Sequence, residues 1–357
     1  GIWVALSMIG VSAIGMMLFT SRPVGDAMAT TIWGTSSSWT LTALPLFVWM
    51  GEILFRTKLS ENLFKGLSPW MQKLPGGLIH VNVVGCALFA AISGSSAATV
   101  ATVGKMSIPE LRKRNYPEKI LLGSLAGSGT LGLLIPPSII LIIYGVAVQE
   151  SIAKLFIAGI IPGIMIALIF MSYVIIWSLI NKKSMPKIIE EYSFFEKIKR
   201  SKQLLPVIIL ILAVIGSIYT GIATATEAAS LGVVGALILS YFQKSLTLKT
   251  FKSSLLGATK TSCMIAFILA GSTFLSLAMG FTGLPRNLAL WIQNMELSPY
   301  VLIFVLMIFY IILGMFLDGI SAVVLTMAII EPMIRQAGFD MIWFGIFLVI
   351  VVEMAQI

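Results

Sequence analysis

The sequence predicts an all-α polytopic membrane protein built as an inverted repeat, with two opposed re-entrant helical hairpins and broken transmembrane helices. Three observations predict it. The 357 residues are 58% hydrophobic and 11% charged, with mean hydropathy +1.00, outside the range of soluble domains. Allowing one two-residue gap, a pattern of Gly, Ser, Ala, Pro, Arg and an aromatic recurs about 223 positions apart, at Gly94, Ser96, Ala97, Pro109, Arg112 and Tyr116, then at Gly319, Ser321, Ala322, Pro332, Arg335 and Phe339. The 24 Lys and Arg also fall almost wholly on one side when the chain is threaded through a bilayer.

Runs 3–19, 41–55, 120–148, 153–180, 204–219, 228–242, 262–281 and 341–352 are apolar enough to cross a bilayer, which takes about 20 helical residues. No basic start precedes Trp3 and there is no initiator Met, so no signal peptide is read. Gly1 is expected to lie inside a longer first helix, and the last helix to be cut off at Ile357. Of the Lys and Arg, only Arg22, Lys154, Arg286 and Arg335 fall outside the loops that this threading places in the cytoplasm. The net charge of +9 is therefore topology, and without interleaved aromatics it does not indicate nucleic acid.

Segment 78–108 carries basic residues on both flanks, so both its ends are cytoplasmic. A single helix of that length would place its ends on opposite sides. The segment is therefore read as a hairpin turning at 93–96. Segment 298–333 begins outside, so its hairpin enters from the other face and turns at 318–321. The organisation predicted is a first repeat 1–180, a basic cytoplasmic linker 181–203 and a second repeat 204–357 truncated at its C-terminal end.

Irregular backbone at membrane depth is tolerated where it is buried in protein or lines a watery cavity. Gly94 and Gly319 permit turn conformations. Ser93, Ser95, Ser96, Ser321 and Asp318 supply oxygens, the ligands of a hard cation. Small residues also serve tight helix packing, but a carboxylate at Asp318 in such a segment points to function. Pro136 and Pro137 break the span 119–148 at its middle, freeing carbonyls there. The matching break of the second half falls beyond Glu353, which is either an ion-site carboxylate or a group near a helix end. Thr224 and Glu227 are read as a helix cap, Cys86 and Cys263 as core residues, and His80 as interfacial. Trp33, Trp39 and Trp49 are read as an aromatic belt by default, with contact to a partner as the alternative. Segments 61–73 and 285–295 are read as arms lying along an interface.

Two other classes compete. An intramembrane serine hydrolase needs a base near Ser93 or Ser95, and His80, 13 residues before Ser93, lies about 20 Å away along a helix. A passive anion channel needs a continuous pore lined by repeated rings, whereas opposed closed hairpins suit alternating access.

Several stretches together resemble the large membrane subunit of tripartite ATP-independent periplasmic (TRAP) transporters. They are Ile92-Ser93-Gly94-Ser95-Ser96-Ala97, Lys105-Met106-Ser107-Ile108-Pro109, Asn115-Tyr116-Pro117, Leu134-Ile135-Pro136-Pro137-Ser138, 155–163, 224–229 and Phe316-Leu317-Asp318-Gly319. Thr224-Ala225-Thr226-Glu227 departs from the family, which usually has proline in place of the alanine. The resemblance implies an elevator-type carrier of the bacterial inner membrane that imports an organic anion, typically a carboxylate, on a sodium gradient. It implies no cofactor beyond Na+ as coupling ion. The implied partners are a small four-helix-type membrane subunit and a periplasmic substrate-binding protein. The sodium positions it implies are Ser93, Gly94, Ser96, Ile135 and Pro137, and Asp318, Gly319, Ser321 and Glu353. Those for the anion are Ser95, Ser96, Pro136, Ser138, Ser321 and Ala322. A stationary scaffold and a moving unit of hairpins and broken helices complete the expectation.

Overall fold

Every regular element among the described residues of the computed structural model is helical; those residues are 3–57, 59–186, 192–202, 204–285, 287, 290 and 298–357. In chain order the first helices are α1 Val4–Phe19, α2 Val24–Ser36, α3 Ala43–Phe55, α4 Leu59–Met71, α5 His80–Ser93 and α6 Ser96–Lys113. A broken span follows as α7 Glu118–Gly129, α8 Leu131–Leu134 and α9 Ile139–Ala147, then α10 Ile152–Ile180 and α11 Phe194–Ser201. The chain continues with α12 Leu205–Tyr219, α13 Ala225–Phe242, α14 Leu248–Thr282, α15 Pro299–Gly314, α16 Gly319–Gln336 and α17 Met341–Ala355. Two compact units interleave along it. One comprises Leu46–Ile139 and Gly159–Ala258 with Ile357; the other comprises Gly1–Pro45, Ile140–Ala158 and Thr259–Gln356.

The sequence duplication is a duplication of structure. Helices α6 and α16 are both 18 residues long, and both their starts and their ends lie 223 positions apart. Each contains a proline, Pro109 or Pro332, and each is followed by a residue in the left-handed region, Asn115 (φ 58°) or Gly338 (φ 81°). The next helix starts after an extended cap in both, Pro117 before α7 and Asp340 before α17. Even the buried face recurs. Thr99, Val103, Ser107 and Leu111 on α6 correspond to Ala322, Thr326, Ile330 and Ile334 on α16, one helical stripe at four-residue steps.

Each of these helices is the second limb of a hairpin. The first limbs are α5, 14 residues or about 21 Å, and α15, 16 residues or about 24 Å, both short of the ~30 Å hydrocarbon core. Full-length spans look different: α10 leaves Ile161, Ile164, Leu168, Ile169, Ile176 and Ile180 uncovered, as a lipid-facing helix would.

The base of the first hairpin is tied by polar contacts. Leu78 N donates to Tyr116 Oη at 3.0 Å, and Asn82 Nδ2 donates to Leu121 O (3.2 Å) and Ser124 Oγ (3.0 Å). Burial raises the pKa of the Tyr116 hydroxyl, opposed by the Leu78 amide and the Arg114 charge, so it stays a neutral acceptor. His80 is fully buried here and not interfacial: its Nε2 meets Pro75 O at 2.8 Å, which satisfies one ring nitrogen inside the fold.

Several expectations change. Helix α2 lies outside the runs expected to be helical. In the fold the Thr30, Thr31 and Thr35 hydroxyls donate to the carbonyls of Asp26, Ala27 and Thr31, so the helix absorbs its own polar groups. Helix α11 lies inside the linker, held by a capping box between Ser193 and Glu196. Trp49 packs inward and donates to Ser254 Oγ at 3.3 Å, so it leaves the belt, while Trp33 and Trp39 are exposed. Cys86 is buried but Cys263 is exposed. The Thr224–Glu227 capping box is present. Helix α4 covers most of segment 61–73; most of segment 285–295, like Lys58, Lys187 and Arg286, lies outside the described residues.

Candidate functional site

The first hairpin tip closes onto the broken span. Gly94 ends α5 in the left-handed conformation (φ 60°, ψ 14°), with its N–H on Ala90 O at 3.1 Å. Gly94 O then accepts from Ile139 N, the first residue of α9, at 3.3 Å. A Cβ on Gly94 would lie 2.6 Å from Pro137 O, so only glycine permits this approach. The seal is two-sided, since a Cβ on Gly132 would lie 2.7 Å from the Ser95 carbonyl.

The break has a local cause. Ile135 is extended (φ −72°, ψ 120°) before the proline pair, which is joined by a cis peptide. Pro136 and Pro137 bring no N–H to the carbonyls of Gly132 and Leu133 four residues back. The Ser138 hydroxyl donates to Leu133 O instead. Ile135 turns its side chain toward Gly163 of α10, so only its backbone can serve the tip.

Around the tip, Ser93 Oγ and Thr99 Oγ1 share a hydrogen bond of 2.9 Å, and Thr99 Oγ1 donates to Ser95 O at 2.8 Å. Ser95 is the N-cap of α6 but makes no side-chain capping bond. Hydroxyls of Ser93 and Thr99 thus gather with carbonyls of Gly94, Ser95 and Pro137, a set of neutral oxygens. Such a set suits a hard monovalent cation, because it compensates one charge by dipoles without burying an opposite charge. Helix ends contribute in both senses: α5 and α8 end there with carbonyls, while α6 and α9 begin there with N–H groups. Thr99, Gly132 and Gly51 were not singled out from sequence. Gly51, on α3, would place a Cβ 3.1 Å from Ser93 Cα. Thr99 follows the cap by one turn, which is the signal that could have found it.

The second tip is built differently. Asp318 is exposed and N-caps α16, its Oδ2 accepting from Ser321 N at 3.2 Å. Gly319 is therefore the first helical residue and not the turn glycine the sequence suggested, and the turn lies at Met315–Leu317. Ser321 and Ala322 are buried just behind the cap. One turn further in, Tyr310 and Thr326 share a buried hydrogen bond of 2.7 Å. Gly314, at the end of α15, abuts Ala355 and Val352 of α17, where Glu353 is only 2% exposed. Asp318, Gly319, Ser321 and Ala322 thus share one tip, with Glu353 on the helix packed beside its first limb. Ser93, Gly94, Ser95 and Ser96 share the other tip with Ile135, Pro136, Pro137 and Ser138.

Paired re-entrant hairpins, one sealed on a broken span, define a polytopic membrane transporter. A family model described as "Tripartite ATP-independent periplasmic transporter, DctM component" matches residues 1–357, and the chain belongs to that family. It is a multi-pass protein of the bacterial inner membrane. It is 31% identical over 347 residues to the C4-dicarboxylate TRAP transporter large permease protein DctM of Pseudomonas aeruginosa, covering 97% of this chain and 80% of that one. It is 32% identical over 331 residues to the 2,3-diketo-L-gulonate TRAP transporter large permease protein YiaN of Escherichia coli, covering 90% and 76%. Against the isethionate TRAP transporter permease protein DctMQ of Oleidesulfovibrio alaskensis, a fusion, it is 29% identical over 354 residues, covering 98% of this chain and 55% of that one. In fold it is similar to the YdaH transporter of Alcanivorax borkumensis, with TM-score 0.63 at 11% identity, covering 99% of this chain and 86% of that one.

Proposed function

We propose that this chain is the sodium-coupled, elevator-type permease subunit of an organic-anion importer, and that it works with a small membrane subunit and a periplasmic binding protein. The observation that carries this reading is the backbone seal between Gly94 and Ile139, which places neutral oxygens and two helix N-termini at one closed tip. Carbonyl ends attract the cation and N–H ends attract the anion, so one tip can favour loading both together. Asp318 makes the second tip the better cation position, because its carboxylate already caps α16 and would repel an anion there. The fused relative supports a close small-subunit partner, and the relatives' substrates support a small organic acid. The charge map supports entry of the hairpins from opposite membrane faces. A serine nucleophile finds no support, since the Ser93 hydroxyl bonds to Thr99 Oγ1 and Ser95 O, neither of which is a general base.

The test is uptake of the organic acid that co-purifies with the partner binding protein, into vesicles holding the assembled complex. An inward sodium gradient should drive accumulation, and replacing sodium by choline should reduce it to background. Equal flux with no gradient would instead indicate a passive channel.

A further inference from the structure

The helix inside the basic linker has three distinct faces. Phe194, Lys197 and Ser201 lie toward α4. There Phe194 meets Trp70 edge-on at 6.2 Å, Lys197 Nζ sits over the Trp70 ring at 5.4 Å, and Trp70 Nε1 donates to Ser201 Oγ at 2.7 Å. Beside that face, Phe195 and Ile198 are 79% and 41% exposed. The remaining face carries Glu196, Lys199 and Arg200, with Arg200 stacked on Tyr192 at 4.2 Å. Lys202 follows at once, and Lys182 and Lys183 precede the helix. Phenylalanine and isoleucine standing uncovered beside a row of cations is the pattern of a helix that lies in a lipid–water interface. The axis of α11 also turns 58° from that of the apolar helix α12 that follows it.

We propose that α11 is an interfacial sensor of anionic phospholipid in the cytoplasmic leaflet, acting on the first hairpin through α4. Charge complementarity selects the occupant. Apolar side chains enter the acyl boundary, while Lys199, Arg200 and Lys202 meet phosphate-level negative charge. The mechanical route is explicit. Helix α4 packs on α5 and α6, the two limbs of the first hairpin, as well as on α11. Leu204, just after α11, fills the space beside Gly66 of α4, where a Cβ would lie 2.5 Å from it. Seating α11 in the membrane therefore fixes α4, and α4 braces the hairpin. This adds regulation to the transport reading and does not depend on which ion drives it.

The experiment uses the complex reconstituted in vesicles of phosphatidylethanolamine alone, or with phosphatidylglycerol added. Cys263→Ser is the background. A nitroxide on Phe195→Cys reports depth, and the rate of maleimide labelling at Ala97→Cys reports freedom of the hairpin tip. With phosphatidylglycerol the nitroxide should be reached by oxygen and shielded from a nickel chelate. Omitting that lipid, or introducing Lys199→Gln with Arg200→Gln, should expose it, since surface attraction weakens about fivefold per charge lost. Labelling at position 97 should change in parallel. Size-exclusion elution of the double variant with its partners confirms assembly. A nitroxide open to nickel with phosphatidylglycerol present would place α11 in water and overturn the proposal. One shielded from both quenchers in every lipid would mean that protein covers this face, which also overturns it. Identical labelling at position 97 in both vesicles would overturn the coupling to the hairpin.

Discussion

Gly94→Val should abolish transport while leaving the complex able to assemble. The substitution meets two independent obstacles. The left-handed backbone at φ 60° costs an L-residue roughly 1–2 kcal/mol, and more when it is β-branched. The new Cβ would also stand 2.6 Å from Pro137 O, a backbone atom that cannot swing aside. Overpacking of this kind costs roughly 1–3 kcal/mol. A combined penalty near 3 kcal/mol lowers the population of the closed tip by about a hundredfold. The damage stays local, because the Gly94–Ile139 bond is the contact that must open. Gly123→Ala is the matched control: that glycine sits within α7 with nothing within 4 Å of its would-be Cβ. Initial uptake rates, read beside the yield of assembled complex, separate the two. Normal uptake by Gly94→Val would mean that the tip does not close on the break during transport.

Asp318→Asn should raise the sodium concentration needed for half-maximal uptake by about tenfold or more. Asparagine caps a helix as well as aspartate does, so the hydrogen bond from Ser321 N survives and α16 still starts at Gly319. What is lost is the formal charge, and a contact to a charged group is worth roughly 1.5–3 kcal/mol. Asp318→Leu removes both, and should add a further loss of about 0.5–2 kcal/mol in stability from the missing cap. The pair of variants therefore separates ion binding from helix capping. An unchanged sodium dependence in Asp318→Asn would leave capping as the whole role of this carboxylate.

Where a local device dictates the structure, the residues announced it. Tandem prolines stop a helix whatever surrounds them, so the break after Leu134 was legible, as was the left-handed turn at Gly94. The 223-residue spacing of Pro109, Arg112 and Tyr116 from Pro332, Arg335 and Phe339 carried the end of α16 over from α6, but Gly94, Ser96 and Ala97 lie 225 positions from Gly319, Ser321 and Ala322, so the motif placed the start of α16 two residues late. Asp318-Gly319 was ambiguous, because that pair fits both a turn and a helix start. The fold chose the helix start, with the Asp318 carboxylate accepting from the backbone N–H of Ser321. Helix α2 stayed hidden because its threonine hydroxyls are absorbed only by the helix's own carbonyls, whereas α11 carries a legible start signal in Ser193-Phe194-Phe195-Glu196. The closeness of Gly132 to Ser95, and of Gly51 to Ser93, is tertiary and leaves no local mark. His80 was misplaced for the same reason: a polar ring goes inside when the fold supplies an acceptor such as Pro75 O.

In an elevator-type carrier one site, here at the tip of the first hairpin, is exposed in turn to the two sides of the membrane. Ala97, exposed in the first turn of α6, is the position to probe. The measurement is the labelling rate of Ala97→Cys, in the Cys263→Ser background, by a membrane-impermeant maleimide added from one face or the other. Labelling is expected from both faces, with sodium and substrate together shifting the two rates in opposite directions. Labelling from a single face, unchanged by sodium or substrate, would contradict alternating access at this tip.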